Sequence, residues 1–134
     1  MKKLLILIFL TLICGAVNAQ EFNIVGKWEV KEVISPKTVE NENMQNMMNG
    51  LSESTFHLNE DQTIKITSTN PTQGLRYFTM MADDAVWNFK DNTITLVDKK
   101  TKGLMMKIFV TTKDDKTIFT FYESNLILEV VRKD

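Results

Sequence analysis

Few side chains in this sequence could do acid–base, nucleophilic or metal chemistry. The chain has one histidine, His57, and one cysteine, Cys14. A zinc site or a Cys–His nucleophile cannot be assembled from these two residues once Cys14 is removed with a leader. His57 alternates with Phe56 and Leu58, which we expect to face inward, so its ring is expected to face solvent. The sequence therefore predicts no metal ligand and no histidine base.

Two pairs of neighbouring carboxylates, Asp83-Asp84 and Asp114-Asp115, are the remaining candidates for acid–base catalysis. Neighbouring side chains point apart in a strand, and paired aspartates are common turn residues. The sequence has no glycine-rich phosphate loop, no G-x-S-x-G motif and no EF-hand loop. We therefore expect no catalytic residue, no cofactor and no enzymatic activity.

Methionines form the more informative pattern, because they suit adaptable apolar surfaces. Met44, Met47, Met48 and Leu51 fall on one face of a helix predicted over residues 38–51. The stripe has two interpretations, as a lid over a ligand cavity or as the core-facing side of the helix.

The first residues are typical of a signal peptide. Lys2 and Lys3 precede an apolar run, and Val17-Asn18-Ala19 resembles a cleavage site. The run is shorter than the about 20 residues of a spanning helix, so we expect no stable membrane insertion. Ile13 precedes Cys14 where lipoprotein processing favours a small residue, so lipid anchoring is not expected. The sequence predicts a signal peptide over residues 1–19 and a periplasmic or secreted protein.

Removing the first 19 of 134 residues leaves 115 (residues 20–134), which suits one domain. Without Lys2 and Lys3 the 16 basic residues become 14, against 17 acidic ones, so the net charge is about −3. That charge does not favour nucleic acid as a partner. Without cysteine in the mature chain, stability must come from an apolar core.

Eight segments have the alternation or apolar content of strands. Turn residues such as Asn59-Glu60-Asp61-Gln62 and Asp91-Asn92 separate them, and short hairpins favour antiparallel, up-and-down order. Residues 75–81 are ambiguous between strand and helix. The predicted strands are residues 24–34, 55–58, 63–67, 85–90, 93–97, 104–112, 117–122 and 126–132. In the first, a slip of phase predicts a bulge near Glu32, and Pro36 ends the strand.

An up-and-down barrel closes only if its first and last strands meet. Gly26-Lys27-Trp28 begins the first strand, where glycine permits a close turn and the indole can plug the barrel end. Arg132 shares the parity of Leu126, Leu128 and Val130 in the last strand. We expect it to point inward and stack on the indole of Trp28.

Gly26-Lys27-Trp28, with a basic residue in the last strand, resembles the lipocalin and fatty-acid-binding superfamily. The segments TFHLNEDQT and VWNFKDNTITL look like those of small bacterial lipocalin-like domains, and the resemblance covers roughly residues 24–132. It implies an all-β, eight-stranded antiparallel barrel, with one short helix between strands one and two. It also implies that Gly26, Trp28 and Arg132 are structural residues of the closed end.

An eight-stranded barrel is filled by side chains or holds one small ligand. We expect a small lipophilic ligand inside the barrel, with Arg76 or Tyr77 orienting its polar group. The predicted cavity and lid residues are Met44, Met47, Met48, Phe56, Arg76, Tyr77, Trp87, Phe89, Met106, Phe119 and Phe121. The alternative is a filled barrel that binds another envelope protein through its loops or helix face.

Overall fold

The computed structural model describes residues 22–37, 40–122, 124 and 126–133. Those residues form eight strands and two helices. In chain order they are β1 (Gly26–Ser35), α1 (Glu42–Leu51), β2 (Ser54–Leu58), β3 (Ile64–Ser68), α2 (Gln73–Asp83), β4 (Ala85–Lys90), β5 (Thr93–Asp98), β6 (Leu104–Lys113), β7 (Lys116–Phe121) and β8 (Ile127–Lys133).

The strands form one antiparallel sheet in the order β3-β2-β1-β8-β7-β6-β5-β4. The first and last strands pair directly, with Trp28 opposite Arg132. β3 and β4, at the two ends of this order, meet at a single bridge between Thr63 and Val86. The predicted fold class, an eight-stranded up-and-down barrel, is therefore confirmed, with the barrel nearly closed.

The seam between β3 and β4 is held by Trp87. Its backbone N–H donates to the carbonyl of Gln62 (2.9 Å), and its indole Nε1–H donates to the carbonyl of Thr63 (3.0 Å). Helix α2 follows β3, precedes β4 and packs against both strands. The one incomplete strand pairing is therefore covered by a helix, which protects the free strand edges.

The structure corrects the predicted helices in two respects. The first helix begins at Glu42 instead of residue 38, because the side chain of Asn41 caps it by accepting from the N–H groups of Asn43 and Met44. Residues 38 and 39 lie outside the described residues. A second helix, α2, occupies the ambiguous segment, so the expectation of one helix was wrong.

Local features of the strands agree with the sequence. The β1–β8 register shifts between Val30 and Glu32, which is the predicted bulge, and β1 ends at Ser35 before Pro36. The β4–β5 hairpin turns at Asp91-Asn92 and the β6–β7 hairpin at Asp114-Asp115, all four with positive φ. Positive φ at both central residues is what a two-residue type I′ turn requires. Asp114-Asp115 is therefore a turn pair.

Aromatic side chains fill the barrel interior. The ring of Trp28 lies 5.8 Å from that of Phe119, which lies 6.0 Å from Phe56; Phe56 in turn lies 6.2 Å from Phe121. Phe78 of α2 ends the series, 5.8 Å from Phe121. The apolar side chains predicted to face inward, among them Phe56, Leu58, Leu128 and Val130, are buried. We call this series of tilted and edge-to-face rings the interior stack. It runs from the barrel end at Trp28 to α2.

At the end where β1 begins and β8 ends, Arg132 covers Trp28. Its guanidinium carbon lies 4.4 Å from the centre of the indole ring. It donates to the carbonyls of Val25 (2.6 Å) and Asn23, and Trp28 Nε1–H donates to the carbonyl of Ile24 (2.9 Å). The predicted stacking is present, although Arg132 lies exposed across the barrel end instead of pointing into the core.

Gly26 is required by this arrangement. Its φ is +140°, and a Cβ there would lie 2.9 Å from Arg132 Nη1. A side chain would therefore be strained and would displace the guanidinium from Trp28. Glycine lets the segment of residues 22–25 fold across the barrel end, where Arg132 holds it.

We expect Trp28→Ala to lower the free energy of unfolding by about 3–5 kcal/mol, because it removes a buried ring and leaves a cavity. Arg132→Ala should cost about 1–3 kcal/mol through its lost hydrogen bonds and stacking. Urea unfolding measures both changes. Lys133→Ala is the control, since its ion pair with Glu29 is exposed and should contribute less than about 1 kcal/mol. Unchanged unfolding of the Trp28 and Arg132 variants would contradict the role of this pair.

Candidate functional site

An apolar cleft of about 680 Å³ opens at the barrel end opposite Arg132. At this end β1 and β7 finish and β6 and β8 begin, and both helices contribute to the walls. The lining residues are Pro36, Glu40, Asn41, Met44, Met47, Met48, Phe78, Met106, Phe121, Ser124 and Leu126. We call this the mouth cleft. Its volume falls within the range of small-molecule sites.

Helix α1 supplies the flexible wall of the mouth cleft. The 3.6-residue period places Met44, Met47 and Met48 on one face, but at different depths. Met44 is 43% exposed, Met47 is partly buried and Met48 is 5% exposed. The stripe therefore lies in two environments: its inner end packs on the core, and its outer end lines the cleft.

The two helices are fixed to each other at close range. A Cβ at Gly74 would lie 3.0 Å from the carbonyl oxygen of Asn43, and one at Gly50 would lie 3.0 Å from Leu75. Thr72 Oγ1 donates to the carbonyl of Asn46 (2.7 Å) and accepts from the N–H of Leu75 (3.3 Å). Thr72 thus caps α2 and ties it to α1, so the helical wall of the cleft is preformed.

The base of the mouth cleft is aromatic. Phe121 of β7 and Phe78 of α2 both line it, and both also contact Phe56 of the interior stack. Phe56 is 1% exposed and Phe119 is fully buried. The cleft therefore ends on packed rings, and its space lies at the mouth of the barrel above the filled interior.

The structure brings together five of the eleven predicted cavity and lid residues: Met44, Met47, Met48, Met106 and Phe121. Phe56, Phe119 and Trp87 are buried in the core and do not line the cleft. Phe89 lies at the opposite end, where its ring is 6.3 Å from that of Phe22.

Arg76 and Tyr77 do not line the mouth cleft. Tyr77 is 74% exposed and lines an adjacent groove between the helices, which shares Asn41, Met44 and Met47 with the cleft. Arg76 lines a different shallow groove beside β3. The orientation of a ligand by either residue stays a prediction.

Sequence reasoning missed Phe78 and Leu126 as lining residues. Phe78 follows Leu75 by three residues and precedes Ala82 by four, which is a helical spacing. Recognising that spacing would have predicted α2 and placed Phe78 on its inner face. The parity of Leu126 places it in the apolar row predicted for the last strand, and in the structure it lies just before β8 begins.

Polar groups are few around the mouth cleft. Asn41 Oδ1 is engaged in capping α1, and Ser124 Oγ lies within hydrogen-bond distance of the carbonyl of Phe121 and the N–H of Leu126. Among the described lining residues, Glu40 has the one ionisable side chain, and it is exposed.

The candidates for catalysis and metal binding are dispersed. His57 lies on the outer face of β2, where Nε2 is 2.9 Å from Thr67 Oγ1. Asp83 ends α2 and Asp84 caps it. Within residues 22–37, 40–122, 124 and 126–133, no three His, Cys, Asp or Glu side chains are grouped to hold a metal ion.

None of the helices in these ranges has both the length and the apolar character to cross a membrane.

Comparisons with protein-family models, with curated proteins and with solved structures returned no match.

The titration of His57 tests the electrostatics of the outer face. Partial burial lowers the pKa of His57 below its ordinary 6.5, and repulsion from Lys27 and Lys65 lowers it further. Because the folded protein binds the His57 proton less tightly than the unfolded chain does, protonation of His57 favours unfolding. The free energy of unfolding therefore decreases as the pH falls from about 6.5 through the folded-state pKa.

We expect NMR of the single histidine ring to give a pKa below 6.5, and Lys65→Gln to raise it. Lys107→Gln, on β6, is the control and should leave it unchanged. A pKa at or above 6.5 in the unsubstituted protein would show that the assignment of these causes is wrong.

Proposed function

We propose that this protein is an exported lipocalin-like binder that holds a small lipophilic molecule in the mouth cleft. The observation that carries the proposal is an apolar cleft of about 680 Å³ with an aromatic base and a methionine wall. Burial of an apolar ligand there gains roughly 25 cal/mol for each Å² removed from water. The unbranched methionine side chains can adapt to ligands of different shape.

Three features of the cleft support a ligand site over an incidental gap between helices. The helical wall is preformed, because close contacts at Gly50 and Gly74 fix the two helices. Met44 is 43% exposed and lines the cleft, so a ligand there would cover an exposed apolar side chain. The filled interior leaves the mouth as the place where an apolar molecule would bind, which differs from the expected position inside the barrel.

Binding of the neutral lipophilic dye Nile red tests this proposal. Met44→Gln replaces an exposed apolar lining side chain with a polar one of similar size. We expect it to weaken dye binding about three- to tenfold, because apolar contact is lost. Met80→Gln is the matched control: Met80 is also an exposed helical methionine (54%), and it does not line the cleft.

Thermal unfolding should show that both variants are folded as the unsubstituted protein is. Equal dye affinity for the three proteins, or no dye binding by the unsubstituted protein, would refute the mouth cleft as a lipophile site.

A second candidate function, binding to another envelope protein, is favoured by a different observation. The aromatic stack fills the interior, and α2 exposes Tyr77 and Met80, which are neighbours three residues apart on its surface. Exposed apolar and aromatic groups of this kind occur at protein interfaces. Failure of Nile red to bind would favour this candidate over the first.

Export is part of the proposal and rests on the sequence of residues 1–19, which lie outside the described residues. We expect the protein isolated from cells to occur in the envelope or medium with Gln20 at its N-terminus. Mass spectrometry of the N-terminal peptide after cell fractionation measures this. An intact Met1 on protein confined to the cytoplasm would contradict export.

A further inference from the structure

A second groove adjoins the mouth cleft and is lined by amide side chains. It has a volume of about 510 Å³ and lies between α1 and α2. Asn43 and Asn46 of α1 line it on one side, and Gln73 and Tyr77 of α2 line it on the other; all four residues are exposed. We call this the helix groove.

The helix groove and the mouth cleft share a wall. Asn41, Met44 and Met47 line both of them. Met44 is 43% exposed, and its unbranched side chain can change rotamer. A molecule whose apolar chain lies in the cleft therefore reaches the helix groove by passing over Met44, so that one ligand can occupy both spaces.

The side chains of the helix groove match the chemistry of a sugar. Asn43 and Asn46 are three residues apart and Gln73 and Tyr77 are four apart, so each pair is adjacent on its helix surface. Side-chain amides both donate and accept hydrogen bonds, as the hydroxyl groups of a sugar do. The ring of Tyr77, which is 74% exposed, offers an apolar face and a hydroxyl group. The apolar C–H face of a sugar can pack on that ring while its hydroxyls bond to the amides.

Backbone contacts hold the two sides of the helix groove together. The carbonyl of Asn46 accepts from Thr72 Oγ1 (2.7 Å). A Cβ at Gly74 would lie only 3.0 Å from the carbonyl oxygen of Asn43. The backbone positions that carry the amides are therefore fixed before a ligand arrives, which lowers the cost of ordering them on binding.

We propose that the helix groove binds the polyhydroxylated polar end, such as a sugar, of an amphiphile whose apolar chain lies in the mouth cleft. This inference rests on the proposed binding of a lipophile in the cleft and adds the chemical class of its polar group.

Displacement of Nile red by dodecyl maltoside and by pentaethylene glycol monododecyl ether, each below its aggregation concentration, tests the proposal at fixed chain length. The maltoside head carries many hydroxyl donors, whereas the ether head offers mainly oxygen acceptors. Both heads are uncharged, so charged side chains near the groove, such as those of Glu42 and Arg76, affect the two affinities alike. We expect the maltoside to bind about three- to tenfold more tightly, the range of one net hydrogen bond.

Gln73→Ala and Tyr77→Ala should each weaken maltoside binding about three- to tenfold and change ether binding less than about twofold. Gln45→Ala and Tyr122→Ala are the matched controls. Both residues are exposed, and neither lines the helix groove or the mouth cleft. These two variants should preserve the ratio of the maltoside and ether affinities.

The outcomes separate the two proposals. If Nile red and the ether bind but the maltoside binds no more tightly than the ether, the sugar inference alone is overturned. The same holds if neither Gln73→Ala nor Tyr77→Ala changes the affinity ratio. Free maltose should leave Nile red bound; displacement of the dye by maltose at the concentrations where the maltoside acts would place the sugar in the mouth cleft and contradict the inference. Failure of Nile red to bind would overturn the lipophile site and this inference with it.

Discussion

The pairing of the first strand with the last is the constraint on which the rest of the barrel depends. At its outer end Arg132 stacks on Trp28 and holds residues 22–25 across the barrel end. With β1 and β8 paired, the incomplete pairing falls between β3 and β4, where one bridge and the hydrogen bonds of Trp87 remain. Helix α2 is inserted at that position in the chain, so a single helix covers the seam and also supplies Phe78 to the base of the mouth cleft.

Interior packing then decides where a ligand could bind. Trp28 plugs one end, and the rings of Phe119, Phe56, Phe121 and Phe78 continue to the other. Close-packed rings leave little room for a second molecule along the axis. The remaining apolar space lies between these rings and the methionine face of α1. Function is thus linked to the core, because the same Phe121 ring is both interior packing and the base of the cleft.

Much of the fold could be predicted because the strands follow a period of two and their turns use Asp, Asn and Gly. The closed barrel end was predictable from Gly26, Trp28 and Arg132. A barrel closes only if its first and last strands meet, and the guanidinium of an inward arginine needs partners. Helix α2 was missed because exposed Tyr77, Met80 and Met81 obscure the spacing of Leu75, Phe78 and Ala82. The position of the cleft was not predictable, because filling of the interior depends on how rings from distant strands fit together.

The most direct test of binding at the mouth is NMR of protein labelled at the methionine methyl groups during titration with dodecanol. Seven methionines follow the predicted leader, which gives reporters inside and outside the cleft. Binding at the mouth predicts progressive shifts of the lining methyl groups, those of Met44, Met47, Met48 and Met106. The exposed Met80 should stay unchanged. Shifts confined to Met80, or no shifts at all up to the solubility limit of dodecanol, would contradict a lipophile site in the mouth cleft.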